Sequence, residues 1–238
     1  MRLVAGNWKM NKSPEEARAF GQDLSRAGLP EGVRALLFPT ALALEHLVAT
    51  VPSTVGVGVQ NAHPEVCGAF TGEISAAMAK EAGASWGLAG HSERRELFGE
   101  CDALAAERVS GLLRAGLNVM FCVGERMEDR ERGLTDRVLR RQLGALKEED
   151  LAHQRLSVAY EPVWAIGSGK AAGPKEATEA VLMIQEFARR PLTVLYGGSV
   201  NPTNVERYFQ SGELGGVLVG GASLNPQTFR ELLVAVAL

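Results

Sequence analysis

A chain of 238 residues, 46% hydrophobic and 22% charged, has enough apolar content to bury its own core, which argues against disorder. The formal net charge of -3 argues against a general nucleic-acid surface, so an anionic ligand would have to be held by local groups. Three cysteines, Cys67, Cys101 and Cys122, are odd in number and lack C-x-x-C spacing, which disfavours a disulfide framework or a metal ribbon and fits a reducing compartment. The polar N-terminus does not read as a signal peptide, and no run approaches the roughly 20 apolar residues of a membrane span, so a cytoplasmic setting is expected.

In chain order, short apolar runs fall at residues 3–5, 33–38, 55–60, 86–89, 117–122, 156–160, 192–196 and 216–219. They are continuous rather than alternating, as expected of parallel strands covered on both faces. Helical stripes lie between them: Leu139, Leu143 and Leu146; Ala177, Val181, Ile184 and Ala188; Phe229, Leu232, Leu233 and Val236. Ser13-Pro14-Glu15-Glu16 predicts a capped helix start with Pro at its first position. Asn201-Pro202 and Asn225-Pro226 predict two more starts by the same device, and Gly173-Pro174 another. The pattern is eight strand-helix units of about 30 residues each, with no linker or composition break. One domain over residues 1–238 is expected. An open doubly wound sheet would show a glycine-rich turn after the first strand, where Asn7-Trp8-Lys9 stands instead. The expected architecture is therefore an α/β fold, a (β/α)8 barrel, with its chemistry at the carboxyl ends of the strands.

Those ends carry polar residues. Strand one ends at Asn7 with Lys9 beyond, strand four at Gly90-His91-Ser92-Glu93, strand five at Cys122-Val123-Gly124-Glu125 and strand six at Glu161. Strand seven ends at Gly197-Gly198-Ser199 and strand eight at Gly220-Gly221. Each alone has an ordinary reading: Lys9 as a surface charge, His91 as a helix cap, Glu161 as half of a salt bridge, the glycine pairs as turns and Cys122 as a small core residue. A barrel would bring all of them to one rim. Glycine pairs let backbone N–H groups close on a phosphate, and the loops after strands seven and eight are a usual place for one.

Other motifs fail. "GSGK" lacks the upstream Gly of a P-loop, with Trp164 in its place, and Ala171 stands where Ser or Thr is needed. A loose G-x-G-x-x-A at 167–172 sits too far from its strand to be a dinucleotide turn. His46 and His153 lack ligand-spaced partners and read as surface residues.

Five segments, "GNWKMN" at 6–11, "GHSERR" at 90–95, "YEPVWAIGSGK" at 160–170, "YGGSV" at 196–200 and "LVGGASL" at 218–224, resemble the triosephosphate isomerase family in family order. The resemblance implies interconversion of dihydroxyacetone phosphate and glyceraldehyde 3-phosphate, in glycolysis and gluconeogenesis, without a metal or organic cofactor. It implies Glu161 as the base, His91 as the electrophile, Lys9 as a charge near the developing enediolate and Asn7 as its orienting neighbour. Ser92 and Glu93 would support His91, and Gly167, Ser199, Gly220 and Gly221 would hold the phosphate. A base and a neutral histidine in these roles are a known pattern for this enzyme. Desolvation is expected to raise the basicity of Glu161, and a helix starting at His91 to keep the imidazole neutral. Residues 163–170 would form a lid hinged at Pro162-Val163-Trp164, with Trp164 and Ile166 expelling water near Glu161. The long loop at 60–72 would insert into a second subunit, with Thr71 reaching the partner's site, so a homodimer is implied. Ser168, where the family often has Thr, and Ala62 and Cys67 in the loop depart from the commoner pattern. Other readings are a different phosphate-binding barrel enzyme, which as an aldolase would need a lysine inside a strand, or a phosphate binder without catalysis.

Overall fold

The computed structural model describes residues 1–165 and 172–237. Eight parallel strands close in chain order into a barrel: β1 (Arg2–Asn7), β2 (Val33–Phe38), β3 (Gly56–Val59), β4 (Trp86–Ala89), β5 (Asn118–Val123), β6 (Leu156–Tyr160), β7 (Val194–Gly197) and β8 (Gly216–Val219). Closure is made by β1 and β8, with Leu3 opposite Gly216 and Gly6 opposite Val219. The expected barrel is thus the observed one, with strand ends shifted by a few residues.

The helices are α1 (Pro14–Ala27), α2 (Leu44–Val48), α3 (Ala76–Glu81), α4 (Ser92–Leu97), α5 (Asp102–Arg114), α6 (Met127–Glu131), α7 (Thr135–Leu143), α8 (Glu148–Leu151), α9 (Pro174–Ala188) and α10 (Pro226–Ala237). The Ser13 hydroxyl accepts from Glu16 N–H at 3.2 Å while the Glu16 carboxylate accepts from Ser13 N–H at 2.7 Å, so the start of α1 satisfies two donors at once. Asn225 caps α10 through Gln227 N–H and Thr228 N–H. Asn201-Pro202 starts no α-helix. Asn201 Oδ1 instead accepts from Thr203 N–H and Thr203 Oγ1, a local turn, and the segment between β7 and β8 carries only a 3-10 stretch, Val205–Phe209. Leu146 lies past the end of α7, although it is buried as its stripe predicted. His46 and His153, expected at the surface, are each half-buried.

Strand side chains alternate between two apolar layers. Leu3, Ala5, Leu36, Phe38, Trp86, Leu88, Met120, Cys122, Ala159, Leu195 and Leu218 fill the barrel interior. Their neighbours Val4, Val119, Phe121, Val158, Val194 and Val217 face the helices. This is why the strands are apolar throughout. Leu88 is fully buried in the interior layer. Leu88→Ala should therefore cost about 2–5 kcal/mol of unfolding free energy in urea at fixed protein concentration; a loss below about 1 kcal/mol would show that the interior collapses around the gap.

Candidate active site

The alternation that fills the barrel also sets its mouth. Extending the inward series by one step from Ala5 reaches Asn7, and from Ala159 it reaches Glu161. The same step from Leu88 reaches Gly90, whose φ of 71° is the left-handed region open to glycine. The turn made there delivers the next residue, His91, as the N-cap of α4. Asn7, Lys9, His91, Glu161, Ser199, Gly220 and Gly221 together line one cavity of about 540 Å³.

Lys9 sits at φ 52°, an uncommon place for a residue with a side chain and one that costs of order 1 kcal/mol or more. Its surroundings hold it there. Asn7 Oδ1 accepts from Lys9 N–H at 2.9 Å, and Gln60 Nε2 donates to the Lys9 carbonyl at 2.8 Å. The ammonium reaches across the bowl to Glu93 Oε1 at 2.6 Å. A Cβ built on Gly220 would stand 4.0 Å from Lys9 Nζ, so the charge also borders the loop after β8.

Glu161 is 3% exposed and His91 6%. Both carboxylate oxygens of Glu161 are engaged: Oε1 lies 3.1 Å from His91 Nε2, and Oε2 accepts from Ser92 N–H at 3.0 Å. His91 Nδ1 accepts from Glu93 N–H at 3.2 Å, so the neutral ring carries its proton on Nε2 and donates it to Glu161. Burial alone would push the Glu161 carboxyl up, but His91, the Ser92 N–H and the Lys9 charge outweigh it and hold the carboxyl below the ordinary range. Burial likewise opposes charge on His91, and the Glu161 carboxylate overcomes it, lifting the imidazole above its usual value. Two expectations are corrected here. Desolvation does not leave Glu161 with a raised pKa in this arrangement, and the helix start does not lower that of His91, because the two groups face each other directly.

Glycines build the rest of the bowl. Gly197, Gly198, Ser199, Gly220 and Gly221 form one wall, and a Cβ on Gly221 would meet nothing within 4 Å, so this backbone lies open to a ligand. Ser199 Oγ donates to the Ala165 carbonyl at 3.3 Å, tying this wall to the end of the segment after β6. Gly167 and the remainder of the expected lid, Ile166 to Lys170, lie outside the described residues. Trp164, at the start of the expected lid, has a polar partner of its own. Its indole N–H donates to Glu125 Oε1 at 3.0 Å, and the Arg130 guanidinium lies 5.1 Å from its ring centroid. Thr71 lies exposed on its loop.

Glu125 has no role in the sequence reading, yet this fully buried carboxylate also accepts from Tyr160 Oη at 3.0 Å and pairs with Arg130 at 3.5 Å. Its placement directly after Gly124 at a strand end was the available signal. Cys122 is the buried core residue it was expected to be, and burial, with Glu161 nearby, pushes its thiol well up. Among the described residues no group of His, Cys, Asp and Glu is arranged to hold a metal.

The family model described as Triosephosphate isomerase matches residues 2–236. Proteins named triosephosphate isomerase are similar over nearly the whole chain. That of Oleidesulfovibrio alaskensis is 42% identical, covering 98% of this chain and 99% of its own. That of Saccharomyces cerevisiae is 40% identical, covering 94% of each. That of Aquifex aeolicus is 39% identical, covering 98% of each.

The electrostatics of the pair make a signed prediction. A carboxylate base works when ionised, so activity should persist above its pKa and fall as pH drops through it. Replacing His91 removes the largest influence that lowers the Glu161 pKa and leaves burial in place. In His91→Asn the acid limb of the pH profile of kcat/KM should move to higher pH, on top of the loss of rate; an unmoved limb would mean that His91 does not set the ionisation of Glu161.

Proposed function

Since the chain belongs to the triosephosphate isomerase family, we propose that it interconverts dihydroxyacetone phosphate and D-glyceraldehyde 3-phosphate with Glu161 as the proton-transferring base. The observation that carries the mechanism is the convergence of an ionised Glu161, the Nε2–H of His91 and the Lys9 ammonium on one cavity with a glycine-lined wall. The phosphate is held at that wall by the backbone around Ser199, Gly220 and Gly221. The three-carbon unit then lies between His91 and Glu161, where it takes over the Nε2–H that Glu161 now accepts. Freed from His91 and Ser92, the carboxylate removes a proton from the carbon beside the carbonyl. Negative charge grows on the carbonyl oxygen, facing His91 Nε2–H and the ammonium of Lys9. His91 passes a proton between the two oxygens, and Glu161 returns its own proton to the neighbouring carbon. No bond to a metal or cofactor enters the scheme.

The competing aldolase reading is weaker because no described strand contains a lysine, and Lys9 is paired with Glu93. A pure phosphate binder would have no use for a buried carboxylate placed against an imidazole. We read the setting as cytoplasmic, which the free exposed thiols Cys67 and Cys101 support. No helix among the described residues is long and apolar enough to cross a membrane.

A homodimer completes the reading. Met10 and Phe98 are exposed and line a groove of about 380 Å³ with Lys9, His91 and Glu93, while Val66 and Phe70 on the 60–72 loop and Leu97 beside Phe98 are exposed as well. An apolar rim beside catalytic side chains fits the 60–72 loop of a second copy, with Thr71 entering the groove.

A coupled assay with dihydroxyacetone phosphate tests the reaction. Glu161→Gln should lower turnover by about three orders of magnitude or more and leave the inhibition constant of inorganic phosphate within a few-fold; near-normal turnover would remove Glu161 from the base role. Phe98→Glu should yield monomers by sedimentation and lose most of the activity, whereas a fully active monomer would refute the need for a partner.

A further inference from the structure

The end of β5 is gripped from the helical side by a residue that the scheme above does not use. Gln142, on α7, is 4% exposed. Its side-chain amide closes on both main-chain polar groups of one residue: Oε1 accepts from Gly124 N–H at 2.8 Å, and Nε2 donates to the Gly124 carbonyl at 3.1 Å. Two bonds from one planar amide hold the peptide units on both sides of Gly124, and so fix the direction of the main chain there as well as its position. Gly124 is also where β5 meets the main chain of Glu161. Glu161 N–H donates to the Val123 carbonyl at 2.7 Å, and Val163 N–H donates to the Glu125 carbonyl at 3.1 Å. Between these bonds, a Cβ on Gly124 would overlap the Glu161 carbonyl. The two segments are therefore in contact atom to atom, and a shift of one moves the other.

The surroundings make such a shift possible. Gln142 and Gly124 line a polar cavity of about 370 Å³ together with Ser92 and Val163. Ser92 supplies the N–H that holds Glu161 Oε2. The cavity thus borders Gly124, Ser92 and Val163, the main-chain neighbours of Glu161, and the Gln142 amide stands at its β5 side. The glycine wall after β7 and β8 lies elsewhere on the rim and makes no bond to Gln142.

We propose that Gln142 is a positioning residue for Glu161: its clasp on Gly124 fixes the main chain that carries the base, and so sets where the carboxylate stands against His91 and Ser92 in the free protein and against the substrate carbon once it leaves them. The inference rests on Glu161 acting as the base. Proton abstraction from carbon is sensitive to placement, a misplacement of about 1 Å being able to cost about 100-fold in rate, whereas anion binding by the other wall is not coupled to this contact.

The test compares the parent with Gln142→Leu, which has similar volume but no polar atoms, and Gln142→Glu, which keeps the acceptor for Gly124 N–H but loses the donor. Rates are normalised to folded protein by circular dichroism. In Gln142→Leu, kcat should fall about tenfold or more. KM and the inhibition constant of inorganic phosphate should change less than about twofold, and the acid limb of kcat/KM should move to higher pH as the contacts that lower the Glu161 pKa loosen. Gln142→Glu should show a smaller kcat loss in the same direction, and it carries the test if the Leu variant does not fold. Unchanged kcat with an unmoved acid limb would overturn the proposal, as would an equal loss of phosphate affinity, which would mark a general collapse of the bowl. Failure of the isomerase reading itself is separate, since it would appear as a parent protein without turnover.

Discussion

The carboxylate of Glu161 is the group on which the site turns. It is almost wholly out of water, a position that by itself would favour the neutral acid. Two donors and a charge reverse that preference: His91 Nε2–H, the N–H of Ser92 at the start of α4, and the positive charge of Lys9, whose ammonium is itself bonded to Glu93. The result is an ionised carboxylate held in a buried place, with both oxygens occupied. A ligand that takes the His91 proton for its own oxygen also loosens the base. In the proposed mechanism binding and activation are the same event, and the burial that the partners offset becomes available to raise basicity once they are engaged elsewhere.

The barrel supplies the precision this needs. Each strand alternates, so the layer above the last interior side chains is fixed by counting: Asn7 above Ala5, Gly90 above Leu88, Gly124 above Cys122 and Glu161 above Ala159. Glycine at Gly124 lets the main chain of β5 lie directly against that of Glu161, and the left-handed turn at Gly90 rotates His91 to face it. Lys9 accepts a strained backbone for the same end, held by Asn7 and Gln60. The cost of that strain is small beside the stabilisation of the packed layers beneath, which are rigid and close-packed.

Much of this was legible in the sequence. Continuous apolar runs gave all eight strands, and the Ser13 and Asn225 caps marked α1 and α10 because capping is local chemistry. The candidate residues Asn7, Lys9, His91, Glu161, Ser199, Gly220 and Gly221 do share one cavity. What the sequence did not show was mostly non-local, with Asn201 a local exception. Asn201-Pro202 carries the same cap signal, yet its side chain closed a turn on Thr203 and no α-helix followed. The ionisation of Glu161 depended on contacts 69 and 70 residues away in sequence, which burial reasoning could not supply. The bond from the Trp164 indole N–H to Glu125, 39 residues earlier, was likewise beyond the reach of local pattern. Gln142 drew no attention because a glutamine on an amphipathic helix reads as solvated, and only the fold reveals that its amide is spent on Gly124.

The central claim is that Glu161 is ionised in the free protein because His91, Ser92 and Lys9 outweigh its burial. Carbon-13 NMR titration of the Glu161 side-chain carboxyl in the ligand-free protein measures this directly. The account predicts a carboxyl signal at its ionised plateau near neutrality, with a midpoint below the ordinary glutamate value of about 4.3. A midpoint at about 6 or higher, the behaviour of a carboxyl governed by its apolar surroundings, would contradict it.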